Sequence, residues 1–159
     1  MKKIASLLSL YRADVFTITF LASFSGYYFS TEKIEPYYFV TSLFIAAVLY
    51  NFVYTLNSIT DVKEDLINNP SRPLPAGKIS LPAAKFYLLV LTFTGITGSL
   101  LLFNGINLFF AFFVFFMGYI YSMPPFELKK IPVAASFVTG WGMANPLFIT
   151  GDKSIYPFC

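Results

Sequence analysis

An all-α membrane protein, built as a bundle of about five transmembrane helices, is the fold class this sequence predicts, and three observations predict it. The composition is 57% hydrophobic and 20% aromatic with only 12% charged residues, whereas soluble domains carry roughly a quarter charged residues. The mean hydropathy is +0.67. Apolar runs of membrane-crossing length recur along the chain with short polar connections between them. On alternate sides of a five-span arrangement, Lys2, Lys3, Arg12, Lys63, Arg72, Lys78, Lys85, Lys129 and Lys130 share one side; only Lys33 and Lys153 take the other. That bias places the N-terminus and both long polar loops in the cytoplasm of a multi-pass protein of the cell inner membrane or its equivalent.

At 159 residues the chain reads as a single domain, 1–159, embedded in the lipid bilayer. It contains no histidine, which removes a His general base, a His metal ligand and a haem axial His together. Its one cysteine, Cys159, has no partner for an internal disulfide and lacks the residues of a prenylation box. No nucleic-acid partner is expected.

Residues 1 to 12 set Lys2, Lys3 and Arg12 around the apolar cluster Ile4 to Leu10, an amphipathic lead-in at the interface. No small-residue cleavage site follows, so retention of this segment is expected. A first span runs from about Val15 to Phe29, borrowing from Tyr11 to Asp14 to reach sufficient length. Ser30 to Pro36 is a polar turn, with Pro36 suited to a first helical position. The second span, about Tyr37 to Asn57, has Tyr37, Tyr38, Tyr50 and Tyr54 towards its ends, where aromatic rings sit at headgroup level. Ser80 with Pro82 starts a third span over 82–103, and the Asn104-Gly105 turn returns the chain into a fourth, about Ile106 to Tyr121. A second polar loop, SMPPFELKKIP, leads to a fifth apolar segment, about Val133 to Thr150. Gly95, Gly98, Gly140 and Gly142 read as points of close helix packing, and the Phe-rich fourth span as lipid-facing or packing surface.

The stretch from Asn57 to Lys78, NSITDVKEDLINNPSRPLPAGK, departs from all of this. Three of the eight acidic residues, Asp61, Glu64 and Asp65, fall within five positions of it. Asn57, Asp61 and Asp65 are spaced i, i+4, i+8, so on a continuing helix each is turned only about 40° from the last and the three line one face. Carboxylates at a helix C-terminus oppose its dipole, at a cost of ~0.3 to 1 kcal/mol each, and a cation is the expected compensation. An oxygen-only ligand set of two carboxylates and an amide suits Mg²⁺. Arg72 and Lys78 follow as cations for phosphate oxygens. The second loop adds the hydroxyls of Tyr121 and Ser122, then Lys129 and Lys130, which read as topology determinants. Metal-binding carboxylates beside Arg and Lys make a diphosphate site. At a membrane surface the matching ligand carries a lipid tail, and 20 Phe and 11 Tyr can house an isoprenoid chain and shelter an allylic cation.

These residues also carry a resemblance. NxxxDxxxD from Asn57 to Asp65, then INNPSRPLPAGKIS from Ile67 to Ser80, resembles the first aspartate-rich motif of the UbiA-type membrane prenyltransferases and the RP-x-x-x-G segment after it. YSMPPFELKK, from Tyr121 to Lys130, is similar to the stretch after that family's fourth helix. The resemblance implies Mg²⁺-dependent transfer of a prenyl group from a polyprenyl diphosphate to a small acceptor. It further implies Asn57, Asp61 and Asp65 as metal ligands, Asp61 and Asp65 as catalytic, and Asn57, Arg72, Lys78, Tyr121 and Ser122 as substrate-binding. The family's second aspartate-rich motif, DxxxD, is absent. Beyond Asp65 the acidic residues are Glu127 and Asp152, so the expected correspondence is to the first half of the fold, C-terminally incomplete.

The rival expectation is a truncated, non-catalytic membrane protein that binds metal or diphosphate, or that pairs with a second copy or a complementing chain. A CDP-alcohol phosphotransferase would need a DGxxAR lead-in that this sequence lacks. A transporter would place its acidic groups at mid-membrane rather than at a helix end.

Overall fold

The computed structural model describes residues 36–102 and 105–139, with a few positions between 17 and 28. The lead-in over residues 1–12, the turn at 30–35, most of the fifth span, Gly140, Gly142 and Cys159 lie outside the described residues. Every element among the described residues is helical: α1 (Pro36–Thr60), α2 (Val62–Asn68), α3 (Leu81–Leu102), α4 (Gly105–Ser122), a 3-10 turn (Leu128–Lys130) and α5 (Pro132–Phe137). Described positions of the first span, Thr17 to Tyr28, are helical as well. Two segments, Phe39–Thr60 and Leu81–Leu100, are long and apolar enough to cross a membrane, the first covering about 33 Å at 1.5 Å per residue; Leu108–Ser122 is apolar but shorter.

Helix α1 is the centre of the bundle, with α3 and α4 both packed on it and on each other. Its buried face reads Ile45, Val48, Leu49, Phe52, Val53 and Leu56, the 3.6-residue period of a helix that meets neighbours along its whole length. Ala111 and Val114 of α4, Leu91 of α3 and Val138 complete this core among the described residues. The opposite faces carry exposed Phe86, Leu89 and Phe93 on α3 and Phe109, Phe112 and Phe116 on α4, at helical spacing. Such stripes are costly in water and ordinary in lipid.

In a bilayer the apolar surface itself gives helices little reason to associate, so close packing and polar contacts must hold them. Both are present. A Cβ on Gly118 would sit 3.0 Å from Val53 Cγ2, one on Gly95 would sit 2.8 Å from the Phe115 ring, and one on Gly98 would overlap Ile45 Cδ1. The expectation of close packing at Gly95 and Gly98 is therefore met. Phe115 in turn packs edge-on against Phe52, with ring centroids 4.6 Å apart. The Asn51 amide donates to the Tyr87 hydroxyl at 2.6 Å, joining α1 to α3.

The helix starts follow local chemistry. Pro36 opens α1, where its missing N–H costs nothing. The Ser80 hydroxyl accepts from the Ala83 N–H at 3.4 Å, which caps α3. Between them, the RPLPAG turn is closed by backbone bonds from Ala76 N to Arg72 O (2.9 Å) and from Lys78 N to Pro73 O (3.0 Å). Gly77 takes φ +68 there, a left-handed conformation that glycine adopts without a Cβ penalty. Leu74 and Ile79 bury against Ala84 and pin the turn to the end of the bundle.

Candidate functional site

The candidate metal and diphosphate site lies at the bundle end where the α1–α3 connection meets the segment after α4. Helix α1 does not stop in a loop at Asn57; it runs to Thr60, bends at Asp61 (φ −91, ψ 4) and resumes as α2. Backbone bonds from Asp61 N to Asn57 O (2.9 Å) and from Asp65 N to Asp61 O (2.7 Å) carry the helical spacing through the bend. The three polar side chains thus keep their one-turn separation. The expected dipole penalty needs correcting for Asp65: with Glu64 it falls in the first turn of α2, where negative charge is favoured.

Both carboxylates are held by cations. Nη1 of Arg72 donates to Asp65 Oδ1 at 2.9 Å and Oδ2 at 2.7 Å, and Asp65 is buried (5% exposed). Asn69 Nδ2 adds a contact to Asp65 Oδ1 at 3.5 Å. Asp61 Oδ1 receives the Lys129 ammonium, which also donates to the Thr60 hydroxyl at 3.2 Å. The Thr60 hydroxyl itself lies 3.2 Å from Asp61 Oδ1 and 2.9 Å from Asn57 O. Ser122, fully buried at the end of α4, donates to Asn57 Oδ1 at 3.4 Å.

Of the residues expected from sequence, Asn57, Asp61, Asp65, Arg72, Tyr121 and Ser122 come together at this end. Lys78 does not join them: its side chain is exposed and makes no ion pair or hydrogen bond with the others. Lys129, read from sequence as a topology determinant, is a contact residue of the site. Its neighbour Lys130 turns outward to Glu127 at 2.9 Å, an exposed pair that raises the ammonium's pKa above its ordinary value. The left-handed backbone of Glu127 (φ 40) starts the turn that splits the two lysines. Charge complementarity with Asp61 was the available signal for Lys129, but the sequence alone gives no way to choose between adjacent lysines.

Among the described residues no group of three or more His, Cys, Asp or Glu side chains makes a protein-only metal cage. Two carboxylates and an amide oxygen fit the way Mg²⁺ is held, by one or two carboxylates with water and substrate phosphates completing the octahedron. Asp61 and Asp65 each pair with one basic side chain of the chain itself.

Beside Asn57 opens a cleft of about 100 Å³ lined by Tyr50, Val53, Tyr54, Asn57, Tyr121 and Thr139. Tyr50, Tyr54 and Asn57 follow i, i+4, i+7, so one face of α1 forms the wall. The Tyr50 and Tyr54 rings stack at 6.0 Å and 25°. The site thus joins a charged rim to an aromatic cleft reaching down the bundle.

Comparison with known proteins agrees with this architecture. The UbiA prenyltransferase family model matches residues 16–151. The digeranylgeranylglyceryl phosphate synthase of Sulfolobus acidocaldarius is 29% identical over 135 residues, which cover 84% of this chain and 47% of that protein. That of Methanococcoides burtonii is 31% identical, covering 75% and 41%. A probable chloroplastic homogentisate phytyltransferase 2 of Oryza sativa is 35% identical over 89 residues, covering 55% and 23%. A solved structure from work on digeranylgeranylglyceryl phosphate synthase in membranes superposes with a TM-score of 0.85 at 28% identity, over 95% of this chain and 53% of that one. The chain spans about half, or less, of the length of these relatives. With helices, polar connections and a family match over most of its residues in agreement, the chain is a membrane protein of the UbiA prenyltransferase family.

Proposed function

We propose that these residues form the first metal- and diphosphate-binding half of a prenyl-transfer site. The observation that carries the reading is the pairing of Asp61 with Lys129 and of Asp65 with Arg72, one helical turn apart and next along the chain from Asn57, which lines an aromatic cleft. Carboxylates and cations gathered in this way suit a ligand that brings both a divalent ion and phosphate oxygens. Because the chain matches about half of its relatives, the binding half-site is proposed for these residues and the complete transfer reaction for the whole fold.

On this reading Asn57, Asp61 and Asp65 hold Mg²⁺, Arg72 and Tyr121 face the diphosphate, and buried Ser122 stands behind Asn57. Mg²⁺, when bound, supplies charge neutralisation for the departing diphosphate. The C1–O bond of the prenyl donor breaks with its electron pair leaving on the diphosphate. The acceptor's nucleophilic atom then bonds to C1 and gives up a proton. The Tyr50 and Tyr54 faces, stacked along the cleft below Asn57, favour a cation next to them and exclude water from it. Buried Ser122 fixes the Asn57 amide with its oxygen on the Ser122 side, which orients the wall of the cleft.

The relatives' names include glyceryl phosphate and chlorophyll products and a homogentisate acceptor, and the glyceryl phosphate lipid recurs. A glyceryl phosphate lipid is the acceptor class we favour. For topology, the two polar connections share one end of the bundle, so Lys63, Arg72, Lys78, Lys129 and Lys130 gather there, which supports a cytoplasmic site.

The test is equilibrium binding of geranylgeranyl thiodiphosphate, which does not ionise readily, to the purified chain in detergent. Binding at least about 30-fold tighter in Mg²⁺ than in EDTA is expected, a coupling of ordinary size for two ligands that share contacts. Equal binding in both conditions contradicts the reading.

A further inference from the structure

We propose that Lys129 is a tethered cation holding the Asp61 side of the divalent-ion site, which must leave before the ion enters, so that this residue couples metal binding to diphosphate binding. The inference rests on the reading of Asn57, Asp61 and Asp65 as the ligand set.

The Lys129 ammonium bonds to Asp61 Oδ1 and the Thr60 hydroxyl, and the two charged side chains are only 11% and 14% exposed. Asp61 Oδ2 has no hydrogen-bond partner among the described residues, so the ammonium supplies the one positive charge in contact with this carboxylate. A divalent ion on the same carboxylate would stand against the ammonium at a separation where like charges in a shielded site repel strongly. One of them must go. A lysine can: its charge rides on a flexible four-carbon stem, anchored here in the 3-10 turn Leu128–Lys130.

Displaced alone, Lys129 would lose the one anionic partner it has among the described residues, which opposes metal binding. Displaced while a diphosphate is present, it finds phosphate oxygens beside it. Metal therefore binds weakly to the empty chain and tightly once diphosphate is there. The arrangement keeps Asp61 paired between turnovers and makes donor and metal arrive together.

The experiment titrates the purified chain in detergent with Mn²⁺, reading free Mn²⁺ by its EPR signal, with and without geranylgeranyl thiodiphosphate. Lys129→Met is expected to bind Mn²⁺ about 10-fold more tightly than the parent when no diphosphate is present. It is also expected to lose about 10-fold of the enhancement that diphosphate gives. Lys129→Arg should stay close to the parent, and Lys130→Met, which removes an equal charge facing outward, should match the parent in both arms. Lys129→Gln keeps a donor for the Thr60 hydroxyl and gives the same reading if the Met variant is poorly folded. Mn²⁺ affinity unchanged or weakened in Lys129→Met and Lys129→Gln overturns the inference, as does equal tightening in Lys130→Met. If the parent binds Mn²⁺ and diphosphate together, those outcomes leave the ligand-set reading standing. A parent chain that binds no Mn²⁺ in either arm overturns both.

Discussion

Asp61→Asn is expected to remove the Mg²⁺ dependence of prenyl diphosphate binding, with a loss of at least about 100-fold in affinity at saturating Mg²⁺. The substitution keeps the size of the side chain and an oxygen at Oδ1, so the backbone bonds at the α1–α2 bend need not change. What it removes is half the formal negative charge of a two-carboxylate site. Oxygen ligand sets for hard cations depend strongly on that charge count. The variant also leaves Lys129 without its anionic partner, but the Thr60 hydroxyl remains within 3.2 Å and the lysine stem can reach solvent. Insertion into the membrane and the α1, α3 and α4 packing should therefore be retained. Binding with and without EDTA, alongside a thermal unfolding midpoint in detergent, separates the two effects.

Arg72→Leu is expected to cost about 30- to 100-fold in diphosphate affinity through the loss of charge-assisted hydrogen bonds worth ~2 to 3 kcal/mol. It should also lower stability, because Asp65, only 7% exposed at its side chain, loses both of its short contacts to Nη1. Stripping one partner from a fully buried pair costs about 3 to 5 kcal/mol. Arg72 is 38% exposed and water can reach the gap, so about 1 to 3 kcal/mol is expected here. The double variant Asp65→Asn with Arg72→Leu distinguishes the roles: it should recover much of the unfolding midpoint and none of the diphosphate affinity. Recovery of both would make the pair purely structural.

The helical spans were readable because they rest on rules that act locally. The sequence reading placed starts and ends of the second, third and fourth spans within a few residues of α1, α3 and α4, since Pro36, Ser80 with Pro82, and Asn104-Gly105 punctuate the chain by their own backbone chemistry. The i, i+4, i+8 spacing of Asn57, Asp61 and Asp65 likewise needed only that the helix continue, and it does. The bend at Asp61, which turns Asp65 from a C-terminal position into the first turn of α2, left no local signal. Lys129 was missed for a different reason. Its contact with Asp61 joins positions 68 apart in the chain, and nothing in an adjacent Lys-Lys pair says which one turns inward. The aromatic cleft was foreseen only as a composition; that Tyr50 and Tyr54, read as interfacial belt residues, form its wall with Tyr121 depends on how α1 and α4 are rotated. Lys78 shows the converse, a residue of the right type in the right loop whose side chain stands apart.

The central claim is that Asn57, Asp61 and Asp65 hold a divalent ion that also touches a diphosphate. Pulsed EPR of the chain with Mn²⁺ and geranylgeranyl thiodiphosphate reads this directly, through hyperfine coupling between the ion and the ³¹P nuclei. That coupling is expected in the parent chain and its loss in Asp61→Asn. A parent spectrum of Mn²⁺ carrying only water ligands, or a coupling unchanged by Asp61→Asn, would contradict it.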